Sequence, residues 1–251
     1  MKIVRFKWEQ APRYGIIDGN DVLSMEGDLL GDITPGKKLS TLDKIEVLPP
    51  VEPGLVVGLG GNYHSLLAVD TSVHSKPEAF LKPQSAVIGH LGKIIYPRGI
   101  VDNVHMEAEL AFVVKKQASH VPEDRGKDYI LGYTCANDVT AHIEDDRGHT
   151  RAKGFYTFCP IGPYLIIDEI DPDNTTITSW LNGKLVQEKD STSDMVYNVG
   201  KIISYITEFM TLNPLDVVLT GTARPPALLN PGDVVEIEVA GIGKLQNTVV
   251  E

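Results

Sequence analysis

The sequence predicts a β-rich α+β fold, and three observations carry that reading. Segments that read as strands far outnumber the one clear helix. They are bounded by Gly, Pro, Asn and Asp turns. No regular strand–helix–strand rhythm of the kind that builds a doubly wound sheet runs through the 251 residues. A chain of this length has room for one large domain, or for a large and a small one.

The first fifty residues read as a small β domain (1–50). Short strands fit Lys2–Phe6, Tyr14–Ile17 and Val22–Ser24, with the turn Asp18-Gly19-Asn20-Asp21 between the last two. Leu48-Pro49-Pro50-Val51-Glu52-Pro53 is the best linker candidate, because proline stiffens the chain and blocks sheet continuation. The main domain (54–251) follows. Strands fit Leu55–Gly58, Leu110–Val114, Tyr129–Ala136, Tyr164–Ile167, Thr176–Leu181 and Val217–Thr220. Asn182-Gly183 marks a tight hairpin in WLNGKLVQ. After Pro231-Gly232-Asp233 the alternation of VVEIEV gives a strand with Glu236 and Glu238 outward, and the chain returns along Leu245–Val250. Met195, Val199, Ile202, Ile203, Ile206, Phe209 and Met210 repeat at helical spacing, with Ser193 or Asp194 placed to cap the start. HIEDDRGHTR, from His142 to Arg151, reads either as a helix or as an active-site loop.

Composition narrows the function classes. A formal net charge of -11 supplies no cationic field for nucleic acid or an anionic membrane surface. No run approaches the roughly 18 apolar residues of a membrane span, and MKIVRFKWEQ has no signal-peptide core, so a cytoplasmic protein is expected. Cys135 and Cys159 sit in apolar runs. Two buried thiols are preferred over one disulfide in a reducing compartment.

The chemistry concentrates in three acids: Glu107 and Glu109 in VHMEAELAFVV, and Asp138 in GYTCANDVTA. Leu110-Ala111-Phe112-Val113-Val114 is apolar at every position and reads as a buried strand. Side chains at i and i+2 share a strand face, so two carboxylates enter the protein together. Buried like charges cost several kcal/mol each without a positive neutraliser, and a divalent cation is the simplest one. The blander reading is a solvated sheet face. Three carboxylate donors suit Mg²⁺, Mn²⁺ or Ca²⁺ better than zinc, and leave about half of an octahedral shell for water or substrate.

With these residues in view the chain resembles the fumarylacetoacetate hydrolase family. The carrying motifs are the E-x-E of VHMEAELAFVV, NDVTA in GYTCANDVTA, KGFYTFCPIGP at Lys153–Pro163, TEFMTLNPLDVVLTGT at Thr207–Thr222, and NPGDVVEIEVAGIGKLQN. The resemblance covers about residue 54 to the end, and the first fifty residues resemble a short extension that some members carry. It implies a mixed β roll or barrel, a homodimer, and a Mg²⁺ or Mn²⁺ site with Glu107, Glu109 and Asp138 as ligands. It further implies an active-site role for Lys153 and a substrate-carboxylate contact for Thr222.

Other positions depart from the family pattern. The usual GTPxG turn is GTARPP here, where Arg224 either supplies a cation for a second carboxylate or faces solvent. Gly58-x-Gly60 follows a strand but fails as a dinucleotide fingerprint, since Tyr63 stands where the third glycine belongs. The family carries a histidine on a lid here, followed three residues later by glutamate. Gapless alignment puts His64 near the histidine and Leu67 at the glutamate, whereas alignment on Asn62-Tyr63 puts Leu66 at the histidine. His74 is a weaker substitute. His142 stands where many members have arginine, ahead of Glu144, Asp145 and Arg147, and reads as a distal substrate contact or a solvated helix end.

This site suits 2-oxo acids, whose enolates a divalent cation and a lysine stabilise. Proton movement gives isomerisation, loss of CO₂ gives decarboxylation, and water addition gives C–C hydrolysis. Leucine in place of the glutamate leaves the water-activating pair incomplete, so isomerisation of an unsaturated 2-hydroxy/2-oxo dicarboxylate in aromatic catabolism is preferred. TEFMTLNP resembles that isomerase/decarboxylase branch. Hydrolysis of acylpyruvates or fumarylacetoacetate-like diketo acids, and decarboxylation of an oxaloacetate-type acid, are the alternatives. A metal-binding protein without turnover is the non-enzyme alternative.

Overall fold

The computed structural model describes residues 1–69, 77–144 and 148–251. The amino-terminal strands are β1 (Lys2–Trp8), β2 (Ala11–Asp18), β3 (Asp21–Gly27), β4 (Ile33–Thr41) and the short β5 (Glu46–Val47). After the proline-rich stretch come β6 (Val56–Gly60), helix α1 (His64–Val69), β7 (Glu78–Lys82), β8 (Val87–Ile88), β9 (Lys93–Ile95), β10 (Asn103–Met106) and β11 (Ala108–Val114). Then follow β12 (Ile130–Asn137), β13 (Thr140–His142), α2 (His149–Lys153), β14 (Cys159–Ile166), β15 (Thr176–Leu181) and β16 (Lys184–Ser191). Helix α3 (Val199–Thr207), β17 (Val217–Leu219), β18 (Ala227–Leu229), β19 (Val234–Val239) and β20 (Gly243–Val250) complete the chain.

Among the described residues these strands form sheets of twelve, five and three strands. The largest runs β4-β3-β2-β1-β14-β12-β11-β17-β6-β7, with β5 and β8 attached to β1 and β14. Its ends, β4 and β7, do not meet, so the sheet stays open and the barrel alternative is not realised. β11 is its spine. All seven of its residues are buried, and they divide by parity: Leu110, Phe112 and Val114 pack into one apolar cluster, Ala111 and Val113 into another.

The expected hairpin forms at Asn182-Gly183. Both residues take positive φ (53° and 73°), as a tight two-residue turn requires. The helix start differs from expectation. Ser193 and Asp194 belong to a short 3₁₀ turn, and the α-helix opens at Asn198, whose side chain accepts from Lys201 N–H at 2.9 Å. Asp194 is engaged elsewhere, accepting from Ser65 N–H at 2.8 Å. Met195 pairs with Tyr63 in an isolated β-bridge, which holds that residue out of the helix. The His142–Arg151 stretch is neither one helix nor one loop: it ends β13 and enters α2, with residues 145–147 outside the described set. Both cysteines are free and buried, as expected.

Candidate metal centre

Strand register assembles the acids. Glu109 on β11 lies opposite Ala136 on β12, and Asp138 follows two residues beyond Ala136 on the same face. Glu107 precedes β11 by one residue and shares the parity of Glu109. Its backbone is fixed on both sides: its carbonyl accepts from Asp138 N–H at 2.9 Å, and its N–H donates to Asn137 Oδ1 at 3.1 Å. Donor oxygens of Glu107, Glu109 and Asp138 all lie within 4.8 Å of one another. Glu109 and Asp138 are buried, and Glu107 is half-buried.

Two lysines face this cluster from other elements. Lys153, the last residue of α2, donates to Asp138 Oδ2 at 2.5 Å, to Thr140 Oγ1 at 2.7 Å and to Glu107 Oε2 at 3.2 Å. Its ammonium also lies 4.4 Å from the centre of the Phe80 ring, a cation–π contact. Lys82 ends β7 and has no exposed side-chain surface; it donates to Asp138 Oδ1 at 2.5 Å and to the Val139 carbonyl at 3.0 Å. The Phe80 ring fits because residue 58 is glycine, where any Cβ would overlap it. That packing is what Gly58, inside β6, does in place of holding a phosphate.

The electrostatics are unequal among the three acids. Burial pushes Glu109 well above the ordinary glutamate range, and the neighbouring Asp138 and Glu107 push it further. Burial also raises Glu107, although Lys153 works against it. For Asp138 burial acts upward, but the two lysines outweigh it and hold the carboxyl below its usual range. For Lys153 burial acts downward, and Asp138 and Glu107 override it, so its pKa is raised.

With all three acids ionised, as metal ligands must be, three carboxylates against two ammonium groups carry one negative charge in excess. The donor set is all oxygen, and each carboxylate has about four lone-pair sites, so the lysine bonds do not exhaust it. Hard donors around residual negative charge fit Mg²⁺ or Mn²⁺.

The remaining expected residues are scattered. Thr222 is buried just after Gly221, whose N–H donates to Glu109 Oε2 at 2.5 Å. His64 opens α1, is exposed, and has no hydrogen bond to the acids among the described residues. Leu66, where the other alignment would put a histidine, is buried in the core. His142 is exposed on β13 opposite Asn103. Arg224 is exposed and forms a two-pronged pair with Asp190 at 2.7 and 2.8 Å. His74, Asp145 and Arg147 lie outside the described residues.

Lys82, Asn137 and Thr140 were missed by sequence reasoning. Asn137 and Thr140 flank Asp138 inside the NDVTA motif, which was the available signal. Lys82 gave none beyond a lysine at the end of a short apolar strand.

The fold and the acidic cluster together define an enzyme class. Residues 56–250 match the family described as Fumarylacetoacetate (FAA) hydrolase C-terminal, and the chain belongs to that family of enzymes. Residues 1–50 match the description Rv2993c-like, N-terminal. An uncharacterised protein of Archaeoglobus fulgidus is 44% identical over 84% of this chain and 84% of its own. A mitochondrial oxaloacetate tautomerase of Xenopus laevis is 36% identical over 82% of this chain and 69% of its own. Among solved structures, the 2-hydroxyhepta-2,4-diene-1,7-dioate isomerase of Mycobacterium marinum has a TM-score of 0.89 at 33% identity, covering 100% of this chain and 98% of its own. Maleylpyruvate hydrolase of Sphingobium sp. SYK-6, solved with manganese(II) and pyruvate, has a TM-score of 0.83 at 26% identity, covering 100% of this chain and 99% of its own. No helix among the described residues is long and apolar enough to cross a membrane.

Proposed function

We propose that this chain holds Mg²⁺ or Mn²⁺ on Glu107, Glu109 and Asp138, and isomerises an unsaturated 2-hydroxy/2-oxo dicarboxylate. The observation that carries the reading is the triad of acids, two buried and one half-buried, with two lysines set against it. A bound divalent ion supplies Lewis acidity to a 2-oxo carboxylate there.

The chain's own residues do the rest. Lys153 has its pKa raised, so it acts as a fixed positive charge and not as a base. Thr222, buried beside the Gly221 turn, offers a hydroxyl to the substrate carboxylate. Proton transfer falls to His64, which is exposed and has no partner among the described residues. Isomerisation returns every proton it takes and needs no activated water. That suits a lid whose glutamate position holds Leu67, or whose histidine position holds the buried Leu66.

Tautomerisation of oxaloacetate is the second reading, favoured by the Xenopus laevis relative. It asks for the same movement of a proton between carbon and oxygen.

Ultraviolet absorbance of 5-carboxymethyl-2-hydroxymuconate, oxaloacetate and an acylpyruvate, each followed with Mg²⁺ or Mn²⁺ and enzyme, separates the readings. Metal-dependent change of the muconate is expected. A silent muconate with a responding oxaloacetate favours the second reading, and acylpyruvate cleavage makes the chain a hydrolase. Silence throughout leaves metal binding without turnover.

A further inference from the structure

One peptide plane connects the acidic cluster to the segment that carries His64. The Thr220–Gly221 peptide donates its N–H to Glu109 Oε2 at 2.5 Å. Its carbonyl, on Thr220, accepts from Asn62 Nδ2 at 2.8 Å. A peptide unit is rigid and planar, so holding both ends fixes its orientation. Asn62 is fully buried and commits its other bonding capacity to a third segment. Its Nδ2 donates to Tyr197 O at 3.0 Å, its Oδ1 accepts from Tyr197 N–H at 2.8 Å, and its carbonyl accepts from Val196 N–H at 2.9 Å. Close approach is possible because residue 221 is glycine at φ +95°: a Cβ there would meet Leu59 O at 3.0 Å and Asn62 Cβ at 3.1 Å.

We infer that Asn62 is a positioning residue for the metal seat, holding Glu109 in its ligating orientation through the Thr220–Gly221 peptide. The inference rests on the metal reading above. Among the described residues neither lysine bonds Glu109, and Gly221 N–H is the donor that holds its carboxylate. Without the Asn62 amide donor the plane can rotate, and the carboxylate loses its fixed direction. Asn62 also lies two residues before His64, so a shift of that segment reaches Glu109 through the same plane.

Calorimetric Mn²⁺ titration of the full chain tests this without any substrate. Asn62→Ala should weaken Mn²⁺ by about 10- to 100-fold, the range for partners that orient a metal ligand. Asn62→Asp, which retains an acceptor for Tyr197 N–H but no donor for Thr220, should weaken it as well, and carries the test if the alanine variant does not fold. In a Glu109→Gln background the Asn62→Ala change should add no further loss, because its effect passes through Glu109. A merely structural asparagine predicts a lower melting temperature with an unchanged Mn²⁺ Kd, and that result in either folded variant overturns the inference while the metal seat stands. Wild-type protein that takes up no Mn²⁺ overturns the metal reading and this inference with it.

Discussion

At the scale of single residues, the site is a matter of buried charge. Lys82 and Lys153 grip opposite oxygens of Asp138, yet they should answer differently to removal. Lys82 has no exposed side-chain surface, so Lys82→Met breaks a buried pair and should cost about 3–5 kcal/mol of stability in urea unfolding. Lys153 lies nearer the open side, beside the half-buried Glu107. Lys153→Ala should retain Mn²⁺ binding by calorimetry and lower kcat by about 10²- to 10³-fold, the loss typical of one preorganised charge. The acids also set a pH dependence. Glu107 and Glu109 have folded pKa values above the ordinary glutamate value, so the metal-free protein binds more protons than its unfolded chain there and loses stability as pH rises through that window. Asp138 runs the other way: its depressed folded pKa gives stability that is lost as pH falls through it. A ligating carboxylate must be deprotonated, and burial, by raising the Glu109 pKa, sets the proton in competition with the metal there. Mn²⁺ affinity should therefore rise with pH above the glutamate range, and the apparent binding enthalpy should vary with the ionisation enthalpy of the buffer. A buffer-independent enthalpy would show that Glu109 is already ionised.

At the scale of elements, what could be read in advance was whatever is written locally. The E-x-E pair announced itself because the run after it is apolar at five successive positions, and the Asn182-Gly183 hairpin because only a few residues accept positive φ at both centres. Lys82 was illegible because it meets Asp138 only in the folded chain: β11, β17 and β6 lie between β12 and β7 in the sheet order, and no spacing in the sequence reveals the meeting. β4 was missed because its ITPGKKLST is half polar and holds Pro and Gly, and it forms by pairing with β3 at the sheet edge. The helix cap was misplaced for a related reason. The apolar repeat extends back to Met195, but Val196 N–H is taken by the Asn62 carbonyl, and the helix waits for the next good cap, Asn198. That cap is a local bond with a local cost. Asn198→Ala should lower stability by about 1 kcal/mol in urea unfolding and leave Mn²⁺ affinity unchanged, since α3 supplies none of the acids.

At the scale of the whole molecule, the first fifty residues are built into the large sheet. β1 pairs with β14 at Lys2↔Ile166 and Ile3↔Leu165, and the amino terminus donates to Ile167 O at 2.6 Å. Ile3, Ile16 and Leu29 share one apolar cluster with Ala111, Val113 and Leu165, so side chains of β1 and β2 pack in the same core as the strand that presents Glu109. Arg5 adds a buried guanidinium donating to the Pro49 carbonyl and to Glu52 across the proline-rich stretch. Cutting the chain at residue 54 removes these partners and bares the Leu165–Ile166 end of β14, both of whose residues are fully buried in the intact chain. An uncovered apolar strand edge is a template for pairing with another chain. The 54–251 fragment should therefore self-associate in size-exclusion chromatography and lose the single cooperative unfolding transition of the full chain. A fragment that stays monodisperse, unfolds cooperatively and binds Mn²⁺ as the full chain does would instead make the amino-terminal strands a separable domain, laid on the edge of a sheet that does not need them.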